Sequence, residues 1–174
     1  MINKLIWFIH GKEVTIKNLL IIHSLSFLLG LLYLYFFIPY KYFSFWQALI
    51  FLGVFWETFG GLFANLTLST KKYWANQSLA FKELYLSVHF LLPVILYLVL
   101  GWDLITCILL LTLTLGIVRL AITLPKPINN ILSIAFFIIL SGCLIWFKGY
   151  ETETLILGIG YLAKLTLGFS FKWY

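Results

Sequence analysis

Charge is what this sequence has least of. Only 10% of its 174 residues are Asp, Glu, Lys or Arg, where a soluble domain carries about 25%. Cysteine occurs twice and proline four times. Cys107 and Cys143 stand alone inside apolar runs, which excludes a disulfide framework and a cysteine-based metal motif. No Pro/Gly/Ser linker, tandem repeat or low-complexity tract divides the chain, so a single integral membrane domain over 1–174 is expected. The apolar stretch 1–9 has no small-residue cleavage site behind it, so the first span is expected to act as an uncleaved insertion signal. P-loop, HExxH, CxxC, GxSxG and EF-hand patterns are all missing. On those grounds no catalytic residue, metal ligand or cofactor is assigned, and an enzyme is the less favoured reading, kept open as an alternative.

What the sequence has in abundance is apolar surface. Hydrophobic residues make up 63% of it and the mean hydropathy is +1.03. A water-soluble globule of this size cannot hide that much, so bilayer lipid is the expected solvent and first partner. The net charge of +6 does not point to nucleic acid, because the basic residues are scattered between apolar runs and form no stripe. They behave instead like the loop charges that orient membrane spans.

A span needs about 20 mainly apolar residues. The sequence predicts an all-α, polytopic helical bundle with six transmembrane helices, at about 18–38, 43–66, 84–100, 103–124, 128–147 and 154–170. Five is the alternative, because Lys164 interrupts the last one. Residues 1–15 are expected to lie along the surface as an interfacial helix. With the N-terminus inside, one side of the membrane receives Lys4, Lys12, Lys17, Lys71, Lys72, Lys82, Arg119, Lys126 and Lys172, and the other only Lys41 and Lys148. That asymmetry places both termini in the cytoplasm. The tryptophans agree: Trp7, Trp74 and Trp173 fall at the inner interface, Trp46, Trp102 and Trp146 at the outer, and only Trp56 lies deep. The expected location is a bacterial cytoplasmic membrane. The longest connection runs over 67–83 and contains a Ser69–Trp74 loop.

Polar residues inside the spans are the functional candidates. In the second span Gly53, Glu57, Gly61 and Asn65 recur every four residues, with Gly60 and Ala64 alongside. Small residues at such spacing let another backbone approach, so this stripe is expected to face protein. Gly160, Lys164 and Gly168 repeat the pattern in the last span. Glu57 would lie ~13 Å and Lys164 ~9 Å from the cytoplasmic end of their helices, depths that a lysine stem can bridge. The sequence therefore predicts that the two charges pair. His23, His89, Arg119 and Asn65 lie at similar depth and complete the ligand- or proton-binding candidates. Interhelical packing alone is the competing account, above all for His23 and Arg119 near helix ends.

Three resemblances bear on these residues. Glu57-x2-Gly60-Gly61-x2-Ala64-Asn65 resembles the start of the CDP-alcohol phosphotransferase signature, which implies six spans, a cytoplasm-facing site and metal-binding aspartates. Here Gly60 stands for the second aspartate, Asn65 for an arginine, and the later paired aspartates are missing. Phe59-Gly60-Gly61 resembles the accessory-gene-regulator peptidases, whose motif needs a His and then a Cys after the glycines; residues 62–70 supply neither. Glu57, Gly60, Gly61, Asn65, Thr67, Ser69, Thr70, Tyr73 and His89 together resemble small membrane proteins of Gram-positive bacteria, a resemblance that implies no activity.

The functional expectation is a small solute-binding or transport-related subunit with a polar intramembrane site in the cytoplasmic half. In size and span number it is similar to the substrate-binding components of vitamin-type energy-coupling-factor transporters. One alternative is a membrane-embedded enzyme acting on a lipid headgroup or peptide. The other is a non-catalytic interaction or assembly subunit, partnered by other membrane subunits or further copies of the chain. A reporter fused after residue 174 tests the topology: six spans return the cytoplasmic signal, and an external signal means five.

Overall fold

The structure, a computed structural model, describes residues 10–11, 13–37, 43–146 and 152–170. Among the described residues every regular element is helical. Five helices are long and apolar enough to cross a bilayer, spanning Ile16–Phe36, Phe45–Asn65, Leu79–Val99, Leu104–Thr123 and Lys126–Trp146. These correspond to the first five expected spans. The last apolar stretch, Leu155–Ser170, falls below that length. Most of the expected surface helix over 1–15, and both chain ends, lie outside the described residues.

The helices are apolar on their outward faces. The most hydrophobic window of the first span is only 17% buried, and Phe45, Leu98 and Trp146 are 70%, 71% and 84% exposed. A helix that is hydrophobic all round belongs in lipid or a large core. Bilayer is therefore the solvent that this surface fits.

The chain forms two compact units, Met1–Gln77 and Ser78–Tyr174. In the first, α1 (Ile16–Phe37) packs against α2 (Phe45–Asn65). Thr15 Oγ1 accepts from the Asn18 amide at the start of α1. Ser44 and Gln47 close a reciprocal capping box on α2, which satisfies two amides that hydrocarbon could not. Tyr33 stacks on Phe51 and Phe55, each 5.9 Å away, while Gly60 lies opposite Ser26, so the two helices run antiparallel. Gly30 allows close approach: a Cβ there would stand 3.2 Å from the side chains of Leu52 and Phe55.

The expected Ser69–Trp74 loop is instead a helix, α3 (Leu68–Ala75). Thr67 makes this corner. Its hydroxyl donates to the Ala64 carbonyl at 2.8 Å and accepts from the Thr70 amide at 3.3 Å. One side chain thus ends α2 and caps α3, and the cap rather than composition decides the helix.

The second unit opens on α4 (Leu79–Val88), capped by Ser78, and α5 (Leu91–Leu100), with a break at His89–Phe90. This span begins at Leu79, five residues before the expected 84. Lys82 and Glu83 are thus inside the helix, and the Ser78 cap sets its start. Pro93 explains the break, since it has no N–H to offer the His89 carbonyl four residues earlier. Gly101, at φ +70°, ends α5 in the left-handed conformation that suits glycine. Asp103 then caps α6 (Leu104–Thr123) by accepting from the Thr106 amide and hydroxyl at 2.7 and 2.9 Å. α7 (Lys126–Trp146) follows Pro125. α8 (Thr152–Ala163) passes directly into a π-helix, Lys164–Ser170, that packs on α6 and α7. Among the described residues this last helix has the most buried side chains, with Leu157, Tyr161, Leu162, Leu165 and Thr166 at 0% exposure.

Gly30→Leu should force α1 and α2 apart and cost about 1–3 kcal/mol. A lowered thermal unfolding midpoint in detergent, with an unchanged helical circular dichroism spectrum, is the expected result.

Candidate functional site

Polar side chains gather in one cluster within each unit. The first-unit cluster is a chain of three rings. The Trp56 indole N–H donates to His23 Nδ1 at 3.0 Å, and His23 Nε2 lies 3.0 Å from His10 Nε2. The rings meet edge to face, with centroids 4.8 Å apart for His10–His23 and 5.4 Å for His23–Trp56. His10 is 2% exposed. Burial, and secondly the charge of His23, lower its pKa from 6.5 to about 4. Beside it Gly11, at φ +78°, lies so near the first turn of α3 that a Cβ would collide with the Ser69 carbonyl.

The stripe predicted on α2 turns gradually into the bundle. Gly53 has open space beside it, Glu57 is exposed, Gly61 is half-buried, and Ala64 and Asn65 are buried at 0% and 2% exposure. An α-helix advances about 100° per residue, so a four-residue repeat drifts ~40° per step and ~120° over this stripe. The residues that face inward are Phe51, Val54, Phe55, Thr58, Gly60, Ala64 and Asn65. Gly60 is the glycine in close contact, 3.4 Å from Ser26 Oγ as measured from a Cβ position.

The second-unit cluster centres on the π-helix. Lys164, its first residue, is 1% exposed, and Gly160 and Gly168 on either side are buried. Thr166 donates to the Leu162 carbonyl at 2.6 Å, and Ser170 to the Thr166 carbonyl at 2.7 Å. Ser133 on α7 meets Ser170 Oγ at 2.8 Å. Since Ser170 has given its hydrogen to Thr166, Ser133 is the donor. At the helix break, the His89 carbonyl, to which Pro93 has no N–H to donate, accepts from the Tyr161 hydroxyl at 3.3 Å and from the Leu92 amide at 3.4 Å. His89 Nδ1 lies 2.8 Å from the Tyr85 carbonyl. A carbonyl only accepts, so Nδ1 carries the hydrogen and Nε2 the lone pair. Tyr85 also stacks on Phe169, 4.8 Å away.

Arg119 Nε donates to Glu83 Oε2 at 2.6 Å, with both side chains partly exposed. The buried Asn129 amide donates to the Ala121 carbonyl and ties α7 to α6. Among the described residues no three His, Cys, Asp or Glu side chains converge as a metal site needs.

Of the predicted candidates, His23, Glu57 and Asn65 belong to the first unit, and His89, Arg119 and Lys164 to the second. His89 meets Tyr161 at the helix break, Lys164 is buried on the same helix as Tyr161, Thr166 and Ser170, and Arg119 sits in its separate pair. Sequence reasoning missed His10, Ser133, Tyr161, Thr166 and Ser170. Thr166 and Ser170 carried a usable signal, since hydroxyls four apart can each bond back to the preceding turn. His10 carried none, because only tertiary packing sets it against His23.

Tyr161→Phe should loosen the break at residues 89–92 and cost about 1 kcal/mol. Faster amide exchange at Leu92 is the expected readout. The chain matches no known protein family, no curated protein and no solved structure.

Proposed function

We propose that this multi-pass protein is a small solute-binding or transport-related subunit of a bacterial cytoplasmic membrane. It crosses six times with both termini in the cytoplasm and carries its polar site in the cytoplasmic half. In this reading Lys164 is the fixed cation of the site and His89 the proton-active group, with Tyr161, Thr166 and Ser170 as polar lining. Glu57 and Asn65 of the first unit, and Arg119, remain secondary candidates.

One observation carries the reading: a buried lysine opens a π-helix in the helix that, among the described residues, has the most buried side chains. Two physical arguments support giving it a function. Withdrawing an amine from water carries a desolvation cost of several kcal/mol even where a partner offsets it, so a position that only fills space favours an apolar residue. π-helical turns also disturb the regular i to i−4 bonding and cluster at functional sites. An intramembrane cation at such a turn is a site by default. The hydroxyls along the same helix bond back to their own backbone, which gives the helix polar groups without opening it to lipid.

The test uses protein purified in native lipid. Wild type should carry a discrete small solute, seen by native mass spectrometry. Lys164→Met, which removes the charge but keeps the stem, should lose it at least tenfold while retaining the wild-type unfolding midpoint within a few degrees. Retention of the same solute by a folded Lys164→Met variant would refute the assignment.

A further inference from the structure

The residues just before α1 are joined to the first unit by the three-ring chain, and its hydrogens can be counted. Indole nitrogen always carries its hydrogen and only donates. Trp56 gives that hydrogen to His23 Nδ1. In neutral His23 the ring hydrogen is therefore on Nε2, directed at His10 Nε2. His10 accepts there, so its own hydrogen is on Nδ1, a buried atom with no hydrogen-bond partner among the described residues. The two imidazoles have four nitrogens. Two carry hydrogen, and the other two are both engaged as acceptors.

A third hydrogen has no place that preserves this chain. On His23 Nδ1 it faces the indole N–H, and on His10 Nε2 it faces His23 Nε2–H. Either position sets two donors head to head at about 3 Å, where each needs an acceptor. We propose that His10, His23 and Trp56 form a proton-operated lock: the neutral pair holds residues 10–11 against α1, α2 and α3, and uptake of one proton releases them.

The contact that would be released is specific. Gly11 sits against the Ser69 carbonyl in a conformation that admits only glycine without strain. Burial keeps His10 neutral well below the ordinary histidine range, down to about 4. A lowered pKa in the locked form means that the released form binds the proton more tightly. The lock is therefore at full strength above about pH 6.5 and weakens as pH falls from there towards about 4, by up to tenfold in population per pH unit. Among the described residues, the other charged side chains on the surrounding elements are Glu13 beside the segment, Lys17 on α1, Glu57 on α2, and Lys71 and Lys72 on α3; Lys12, next to Gly11 in sequence, lies outside the described residues. Glu13 is already in an ion pair with Lys72 at 3.1 Å.

The experiment uses the full chain in lipid nanodiscs, with Cys107 and Cys143 replaced by alanine and a nitroxide attached at Val14→Cys. The label should be immobile at pH 7.5 and become mobile as pH falls towards 4. Trp56→Phe gives the decisive contrast. Without the indole N–H, His23 Nδ1 can take the proton while Nε2–H still donates to His10. Nitrogen-15 spectra of the three histidines should then show His23 protonating at a higher pH than in wild type, with the label remaining immobile. Trp56 is 43% exposed, so phenylalanine fits without repacking the bundle. Label mobility that is independent of pH in wild type, or an identical release curve in Trp56→Phe, would overturn the proposal. So would a His23 Nδ1 that carries hydrogen at pH 7.5, a measurement that needs no variant.

Discussion

A polar atom inside this protein has no solvent to turn to. Hydrocarbon offers neither donors nor acceptors, so amides, hydroxyls and charges at that depth are stabilised by partners within the chain. Most of the described structure follows from that constraint. Helix starts are closed by Thr15, Ser44, Thr67, Ser78 and Asp103, each accepting from an amide of the first turn. Hydroxyls within helices bond back to the preceding turn, as Ser26, Thr112, Thr166 and Ser170 do. Where Pro93 removes a backbone donor, a tyrosine from the last helix donates to the carbonyl four residues earlier.

The two polar clusters meet the constraint differently. In the second unit, hydroxyl hydrogens pass along a file from Ser133 to Ser170 to the Thr166 carbonyl, and neutral groups can rotate to keep it intact. In the first unit the partners are rings with fixed donor positions. The indole cannot accept, so the direction of every hydrogen from Trp56 to His10 follows from one end. Serine hydroxyls keep their single hydrogen across the pH range in which an imidazole can take up a second.

Much of the fold was legible in the sequence because lipid imposes a length on each apolar run. Spans ended within a few residues of the observed helices wherever a proline or a capping side chain marked the boundary, as at Asp103 and Pro125. The misjudged stretch was 67–83. Its mixed composition reads as loop, and the helix there depends on one threonine serving two helix ends. The site was less legible. Residues four apart on α2 look like one face, but the helical drift carries Gly53 and Glu57 outward while Asn65 turns in. The charged and glycine positions were visible; their depth and facing were not.

By itself the sequence determined the solvent, the helical class and the approximate ends of five apolar helices, because each is set locally by hydropathy, length and caps. Tertiary structure alone decided that His10 meets His23, that Tyr161 answers the carbonyl left by Pro93, and that Lys164 is fully enclosed. These depend on how helices rotate and pack, and the two hydrogen-bonded contacts join residues 13 and 72 positions apart in the chain. No local pattern encodes a hydrogen bond over that separation, since its geometry exists only once the helices have docked.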